Sequence, residues 1–266
     1  MHGRVLIVAG SDSGGGAGIQ ADIKAVTMLG AYAATAVTAL TAQNTEGVFG
    51  VLPVPPDFVR QQIEVVLDDI GADAVKTGML HDAAVIETVA AALAERAGGI
   101  PLVVDPVMVA KGGAPLIDPE AVATLKERLV ARAALVTPNL PEAEILLGRK
   151  IASLDDMREA ARALLAIGCR AVLLKGGHLP GDTVFDVLAA GSGMRLWQSP
   201  RIATRHTHGT GCTLASAIAA GLAQGRDLGT AVDRARDYVQ RAIASAPGFG
   251  RGHGPLDHAH PLGDRR

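Results

Sequence analysis

The sequence predicts an α/β fold, with a mostly parallel central sheet and helices on both faces. Three observations point there. Strand-like and helix-like segments alternate almost throughout the chain. The strand-like segments are short apolar runs, such as RVLIVA at 4–9, as expected for strands covered on both faces. Polar and glycine residues gather just past five of these runs, at Gly10, Thr77–Met79, Asp105–Val107, Thr137–Asn139 and Lys175–Gly177. In open α/β sheets the carboxyl ends of the strands border the binding crevice, so five strand ends point at one site.

The elements follow in order. Residues 4–9 form the first strand, and GSDSGGGAG at 10–18 is a glycine-rich loop leading into a helix at 19–29. A second buried strand, rich in Ala, Val and Thr, covers 32–40, and 48–54 fits a short edge strand. Pro55 and Pro56 suit a helix start. Val59, Ile63, Val66, Leu67 and Ile70 then recur at helical spacing, and Gly71 closes that helix. A strand at 74–77 ends in TGM, a helix covers 83–96, and a strand at 102–105 ends in a carboxylate. Helix 120–130, strand 134–137, helices 141–147 and 154–167, and strand 171–175 continue the alternation. Segments 183–188 and 194–197 fit a hairpin, and 211–223 and 228–244 are the last two helices.

Length and composition bound the function. The chain has 266 residues, 48% of them hydrophobic and 20% charged, enough for a sizeable core in one large domain. Aromatics make up only 3%, so Ala, Val, Leu and Ile must build that core. There is no internal repeat or domain linker, and 247–266 is a Gly/His/Pro-rich tail expected to be irregular. A net charge of −2 with both signs interspersed offers no groove for nucleic acid and no polybasic membrane patch. The apolar run at the N-terminus is too short for a signal peptide or a membrane span. Two cysteines with no CxxC favour a reducing cytoplasm over a disulfide framework.

Several residues carry possible chemistry, each beside a plainer reading. The first glycine loop lacks GxxxxGK[ST] and a proper GxGxxG, so neither a P-loop nor a dinucleotide site is indicated. Asp22, one helical turn past that loop, can face the crevice or be a helix-surface acid. His208-Gly209-Thr210-Gly211 puts successive N–H groups before a helix of small residues, which makes an anion site unless it is only a tight helix entry. Cys212 lies in the first helical turn, where the dipole lowers a thiol pKa, yet a buried structural cysteine is at least as common. Asp105, and Asn139 with Glu142 in N-x-x-E, offer oxygen ligands of the kind that hold Mg2+; Glu142 is otherwise a first-turn acid favoured by the dipole. Lys175 can neutralise phosphate or point to solvent. His253, His258 and His260 have spacing that permits a metal, but nothing fixed holds them.

Seven motifs in this order resemble the hydroxymethylpyrimidine/phosphomethylpyrimidine kinases of the ribokinase-fold superfamily, over about 4–260. They are AGSDSGGGAGIQADIK (9–24), TALTAQNTEGV (38–48), KTGML (76–80), DPVMVAKGG (105–113), TPNLPEAEILLG (137–148), LLKGGH (173–178) and HGTGCTLASAIAAGLAQG (208–225). The tail GHGPLDHAHPL (252–262) is similar as well. The resemblance implies one ribokinase-like three-layer domain over 1–266. It implies ATP-dependent phosphorylation of a pyrimidine hydroxymethyl group, then of the monophosphate, in thiamine biosynthesis. Gln43 would hydrogen-bond the aminopyrimidine, with Asp22, Met79, Gly10 and Val107 lining its pocket. Gly209, Thr210, Gly211 and Cys212 would form the anion hole, with Cys212 near the accepting hydroxyl. Lys175, Asp105 and Asn139 would meet ATP phosphates, and Glu142 with Asn139 would hold Mg2+ directly or through water. The fold family often forms dimers, and the apolar edge at 48–54 is compatible with a homodimer.

Three other readings compete. Some pyridoxal kinases share the Gly-Thr-Gly-Cys turn but carry Cys-His-Cys in a lid where this chain has Val109-Ala110-Lys111-Gly112-Gly113, which favours the pyrimidine. A non-catalytic sensor would need neither the turn nor N-x-x-E. A dehydrogenase lacks its fingerprint. Most ribokinase-fold sugar kinases have Asp where Cys212 stands. A thiol that is neutral at rest, but ionisable by the helix N-terminus, would avoid repelling an already phosphorylated substrate.

Overall fold

The computed structural model describes residues 1–109 and 116–263. The question whether 110–115 closes as a lid lies outside the described residues. The strands are β1 (Arg4–Asp12), β2 (Tyr32–Gln43), β3 (Val48–Pro53), β4 (Ala74–Thr77), β5 (Leu102–Val104), β6 (Leu135–Val136), β7 (Ala171–Lys175), β8 (Thr183–Ala190) and β9 (Gly193–Pro200). The helices are α1 (Gly18–Met28), α2 (Pro56–Asp69), α3 (Ala83–Arg96), α4 (Ala121–Arg128), α5 (Leu140–Leu147), α6 (Leu154–Leu165), α7 (Thr210–Ala223) and α8 (Leu228–Ala244).

The nine strands of the described residues join one sheet in the order β3-β2-β1-β4-β5-β6-β7-β8-β9. The six from β2 to β7 in that order are parallel; β3 pairs antiparallel with β2 at one edge, and at the other β8 pairs antiparallel with β7 and β9 with β8. Strand order reverses around β1, which has β2 on one side and β4 on the other. That is the topological position where open sheets part to form a crevice.

Both faces are covered. Alternate residues of β1 divide between them: Leu6 and Val8 pack with α2 to α6, and Val5, Ile7 and Ala9 pack with α1, α7 and α8. This division is why β1 reads as a continuous apolar run. Small residues bring α7 close to α8, and a Cβ on Gly221 would lie 2.8 Å from the Ala231 side chain.

Several boundaries differ from the sequence reading, the hairpin strands β8 and β9 among them. β1 continues past Ala9 because Ser11 and Asp12 pair with Leu40 and Thr41 of a longer β2. Gly10 is therefore strand, and Gln43 is the last residue of β2 rather than part of a loop. Helix 120–130 is shorter, with α4 followed by a 3-10 turn at Val130–Arg132. The tail is irregular but docked: Leu256 and His258 are buried, and His208 bridges Pro255. Among the described residues no helix is long and apolar enough to cross a membrane.

Candidate active site

The two glycine loops interlock around one carboxylate. Asp12, at the end of β1, accepts from the backbone N–H of Gly14 (2.8 Å), Gly16 (3.1 Å) and Ala17 (2.8 Å). Its Oδ2 also lies 2.8 Å from His208 Nε2. Burial alone would raise the Asp12 pKa, but the His208 contact and the N–H groups of Ala17 and Gly14 hold it below the usual range. The first glycine loop thus turns its donors onto an internal anion, which argues further against a dinucleotide site there. The second loop crosses it backbone to backbone. Gly209 has φ 81°, and a Cβ there would land on the Gly16 carbonyl oxygen.

Gly209 is the N-cap of α7 and supplies no side-chain acceptor. The Thr210 N–H makes a long contact to the Thr207 carbonyl (3.4 Å), and the N–H groups of Gly211 and Cys212 remain available to an anion. They face Lys175 and Asp105: a Cβ on Gly211 would sit 3.1 Å from Lys175 Nζ and 3.7 Å from Asp105 Oδ2. Asp105 Oδ1 accepts from Lys175 Nζ (3.0 Å) and from Thr137 Oγ1 (3.0 Å). Burial would lower the Lys175 pKa, but Asp105 and Glu142 hold it above the ordinary value. A cation that stays charged thus stands beside an open helix N-terminus, aimed inward rather than at solvent.

Asn139 and Glu142 form a reciprocal capping box at the start of α5. Glu142 N–H donates to Asn139 Oδ1 (2.9 Å), and Asn139 N–H donates to Glu142 Oε2 (2.8 Å). The plainer reading of Glu142 is therefore true, without excluding the other. Burial pushes its carboxyl up to about 7, partly relieved by Lys175 and reinforced by Asp105. An added divalent charge would favour the ionised form. No three-residue His/Cys/Asp/Glu cluster able to hold a metal exists among the described residues. Hard oxygen donors without a full cage fit Mg2+, which keeps waters and uses one or two carboxylates plus substrate phosphates.

Cys212 and Asp22 depart from expectation. Asp22 does not open to the crevice. Its Oδ2 pairs with Lys76 Nζ at 2.8 Å and its Oδ1 accepts from Ser216 Oγ at 2.7 Å, all three residues being 0% exposed. It stands behind the pocket because β4 delivers a buried ammonium that needs a counter-ion. Cys212 is half-buried, and burial pushes its thiol up to about 12, only partly offset by Lys76. Desolvation is the largest influence on the thiol, which stays protonated.

The remaining pocket residues lie at neighbouring strand ends. Met79 touches the Gly10 position, where a Cβ would be 3.2 Å from its sulfur. Val107 is half-buried and its N–H donates to the Asp105 carbonyl (2.8 Å). Gln43 is half-buried, accepting from Thr41 Oγ1 (3.2 Å), with its Nε2 3.4 Å from His208 Nε2. The structure brings Gln43 to the second glycine loop and Gly10 to Met79.

The tail histidines do not converge. His253 Nδ1 meets the Arg205 carbonyl, His260 Nε2 the Tyr238 carbonyl, and His258 Nε2 the Thr213 hydroxyl at 2.9 Å. His258 thus ties the tail to the residue after Cys212. Burial pulls its pKa down to about 4. The unfolded chain, titrating near 6.5, takes up this proton first. The stabilisation is complete above that value and is lost as pH falls toward 4, on the order of 3 kcal/mol. Urea unfolding at a series of pH values should show His258→Gln losing less stability between pH 7 and 4 than the unaltered protein. Parallel curves would contradict this assignment.

Sequence reasoning assigns no side-chain role to Lys76, Asp12, His208, Ser216 or Thr137. Lys76 had a signal: it interrupts an apolar strand at 74–77, and a charge in a strand covered on both faces must have a partner. Asp12 ends β1 and His208 lies in the loop before α7, and no local pattern reveals that they meet.

Comparisons with known proteins agree with this geometry. The phosphomethylpyrimidine kinase family model matches residues 12–257. The thiamine biosynthesis bifunctional protein ThiED of Geobacter sulfurreducens is 58% identical over 258 residues, 97% of this chain but 52% of that protein, so this chain spans about half its length. The hydroxymethylpyrimidine/phosphomethylpyrimidine kinase of Bacillus subtilis is 50% identical over 256 residues, 96% of this chain and 94% of that one. Among solved structures, an ADP complex of Bacillus subtilis pyridoxal kinase aligns with a TM-score of 0.89 at 36% identity, over 97% of this chain and 98% of that one. The helix-covered parallel sheet, the open helix N-terminus beside a buried lysine and these likenesses agree: the chain belongs to the phosphomethylpyrimidine kinase family, within the ribokinase superfamily.

Proposed function

We propose that this chain transfers phosphate from ATP to 4-amino-5-hydroxymethyl-2-methylpyrimidine, and then to the resulting monophosphate, as a step of thiamine biosynthesis. The observation that carries the reading is the α7 N-terminus facing Lys175 across Gly211, with a neutral thiol at its third position. Phosphoryl transfer passes through a loose transition state, so positioning and charge stabilisation do most of the work. N–H groups of the Gly209–Cys212 turn, those of Gly211 and Cys212 foremost, would hold the equatorial oxygens of the moving phosphoryl group. Lys175, kept cationic by Asp105, would balance the charge that builds on the phosphates. When bound, Mg2+ would neutralise further charge there, held by Glu142 and Asn139 directly or through water. Cys212 would stand beside the acceptor hydroxyl as an uncharged neighbour. A loose transition state does not require the hydroxyl to lose its proton early.

Gln43 would read the aminopyrimidine edge, since its amide both donates and accepts. Gln43→Ala is expected to lower kcat/KM for the pyrimidine by about 1–3 kcal/mol while ATP affinity stays nearly unchanged. An unaltered pyrimidine kcat/KM would remove it from the site. The likeness to a pyridoxal kinase favours a second reading, turnover of pyridoxal or pyridoxine. ADP release measured with hydroxymethylpyrimidine, its monophosphate, pyridoxine and pyridoxal separates the two.

We further propose a homodimer through the β3 edge, where Phe49 and Leu52 are 72% and 64% exposed beside Val51. Two free cysteines and a nearly neutral charge balance support a cytoplasmic setting.

A further inference from the structure

The direct link between Gln43 and the second glycine loop is weak. Gln43 Nε2 lies 3.4 Å from His208 Nε2, and that nitrogen already meets Asp12 Oδ2 at 2.8 Å. A contact that long leaves the spacing between the end of β2 and the start of α7 loosely set. The tail bridges the two. After Gln43 the chain makes a tight turn at 44–47, closed by Asn44 Oδ1, which accepts from the Glu46 N–H (2.8 Å) and the Gly47 N–H (3.2 Å). Thr45 stands half-buried in that turn and offers the tail two acceptors. Its Oγ1 accepts from the Gly252 N–H at 3.2 Å, and its carbonyl from the His253 N–H at 2.8 Å. The next tail residues reach the other loop. The Gly254 carbonyl accepts from the His208 N–H at 3.1 Å, one residue before Gly209.

Three alternate glycines make this fit possible. A Cβ on Gly250 would land on the Thr45 side chain, one on Gly252 on the Thr45 carbonyl oxygen, and one on Gly254 on the His206 ring. The tail therefore lies flat between the two segments. Fastening the chain end does not explain the glycines, because the tail is anchored further on. There His258 meets the Thr213 hydroxyl, and the Asp257 N–H donates to the Ala242 carbonyl at 3.0 Å. The ion pair of Arg251 and Glu46 on the outer side is exposed and adds little.

We propose that Thr45 is a positioning residue: through residues 252–254 of the tail it holds the pyrimidine-reading end of β2 in register with the Gly209–Cys212 turn. The bearing on phosphoryl transfer rests on the kinase reading. The tie itself does not, and can be read without turnover.

The test is Gly252→Ala, which drives the tail off Thr45, read by hydrogen exchange and by kinetics. Exchange should quicken together in peptides covering 40–48 and 204–210, with a peptide from α3 unchanged. A small misplacement of a reacting group is costly, so kcat/KM for hydroxymethylpyrimidine should fall by about a hundredfold, with its KM raised and the KM for ATP kept within about twofold. Thr45→Val removes one acceptor and keeps the shape, so it should lower pyrimidine kcat/KM by about fivefold, and Thr45→Ser should restore it. A tail that only stabilised the fold would cost active protein, lowering kcat while both KM values stay. Unchanged exchange at 204–210 in Gly252→Ala, or an unchanged pyrimidine KM, would overturn the inference. If Gly252→Ala does not fold, the Thr45 pair decides alone: a loss in Thr45→Val restored in Thr45→Ser supports it, and equal behaviour of the two overturns it. Joint quickening of exchange in a protein whose unaltered form does not phosphorylate the pyrimidine would support the tie and overturn the kinase reading.

Discussion

Gly209→Ala is expected to abolish turnover, lowering kcat/KM by about a thousandfold or more, equivalent to about 4 kcal/mol of lost transition-state stabilisation. Two effects combine. At φ 81° an alanine is held in the left-handed region, which costs about 1–2 kcal/mol. Its Cβ would also collide with the Gly16 carbonyl oxygen, which is backbone and cannot swing aside. The crossing of the two loops must open, and both ends of the site move with it. On one side the Asp12–His208 contact stretches; on the other the first N–H groups of α7 turn away from Lys175. Initial rates together with thermal unfolding would check this. A stable Gly209→Ala protein with near-normal kcat/KM would show that the α7 N-terminus does not hold the transferred group.

Cys212→Asp is expected to separate the two proposed transfers. At an effective dielectric near 20, like charges about 5 Å apart repel by about 3 kcal/mol, a factor of about a hundred. That penalty falls on the monophosphate and spares the neutral alcohol. The alcohol reaction should therefore drop far less than the monophosphate reaction. Aspartate would also join Asp22 and Asp105 around Lys76, so its stability should be compared with that of Cys212→Asn, an uncharged control of the same shape. Equal losses in both transfers would remove charge avoidance as the reason for a cysteine here. The thiol is neutral because burial raises its pKa, so the charge argument does not need the helix to ionise it.

The fold was legible because its signals are local. RVLIVA announces a strand with two covered faces, and Thr210–Ala223 announces a tightly packed helix through its small residues. The strand ends named the crevice, and Lys175, Asp105 and Gly211 do meet there. What the sequence could not display is contact between segments far apart in the chain. Asp22 had the spacing to face a ligand, but Lys76, 54 residues later, claims it. His208 finds Asp12 across 196 residues, and the tail His258 finds Thr213 across 45. The Cys212 pKa was misjudged for the same reason. The dipole is visible in one helix, whereas desolvation depends on α1, β4 and β5 together.

The most direct measurement of the central claim is the stoichiometry of ADP release with a limiting amount of hydroxymethylpyrimidine, with products followed by phosphorus NMR. Two equivalents of ADP per pyrimidine, with a monophosphate that rises and then gives way to a diphosphate, is the predicted result. No ADP release with the pyrimidine, or release that stops at one equivalent with the monophosphate accumulating, would contradict it.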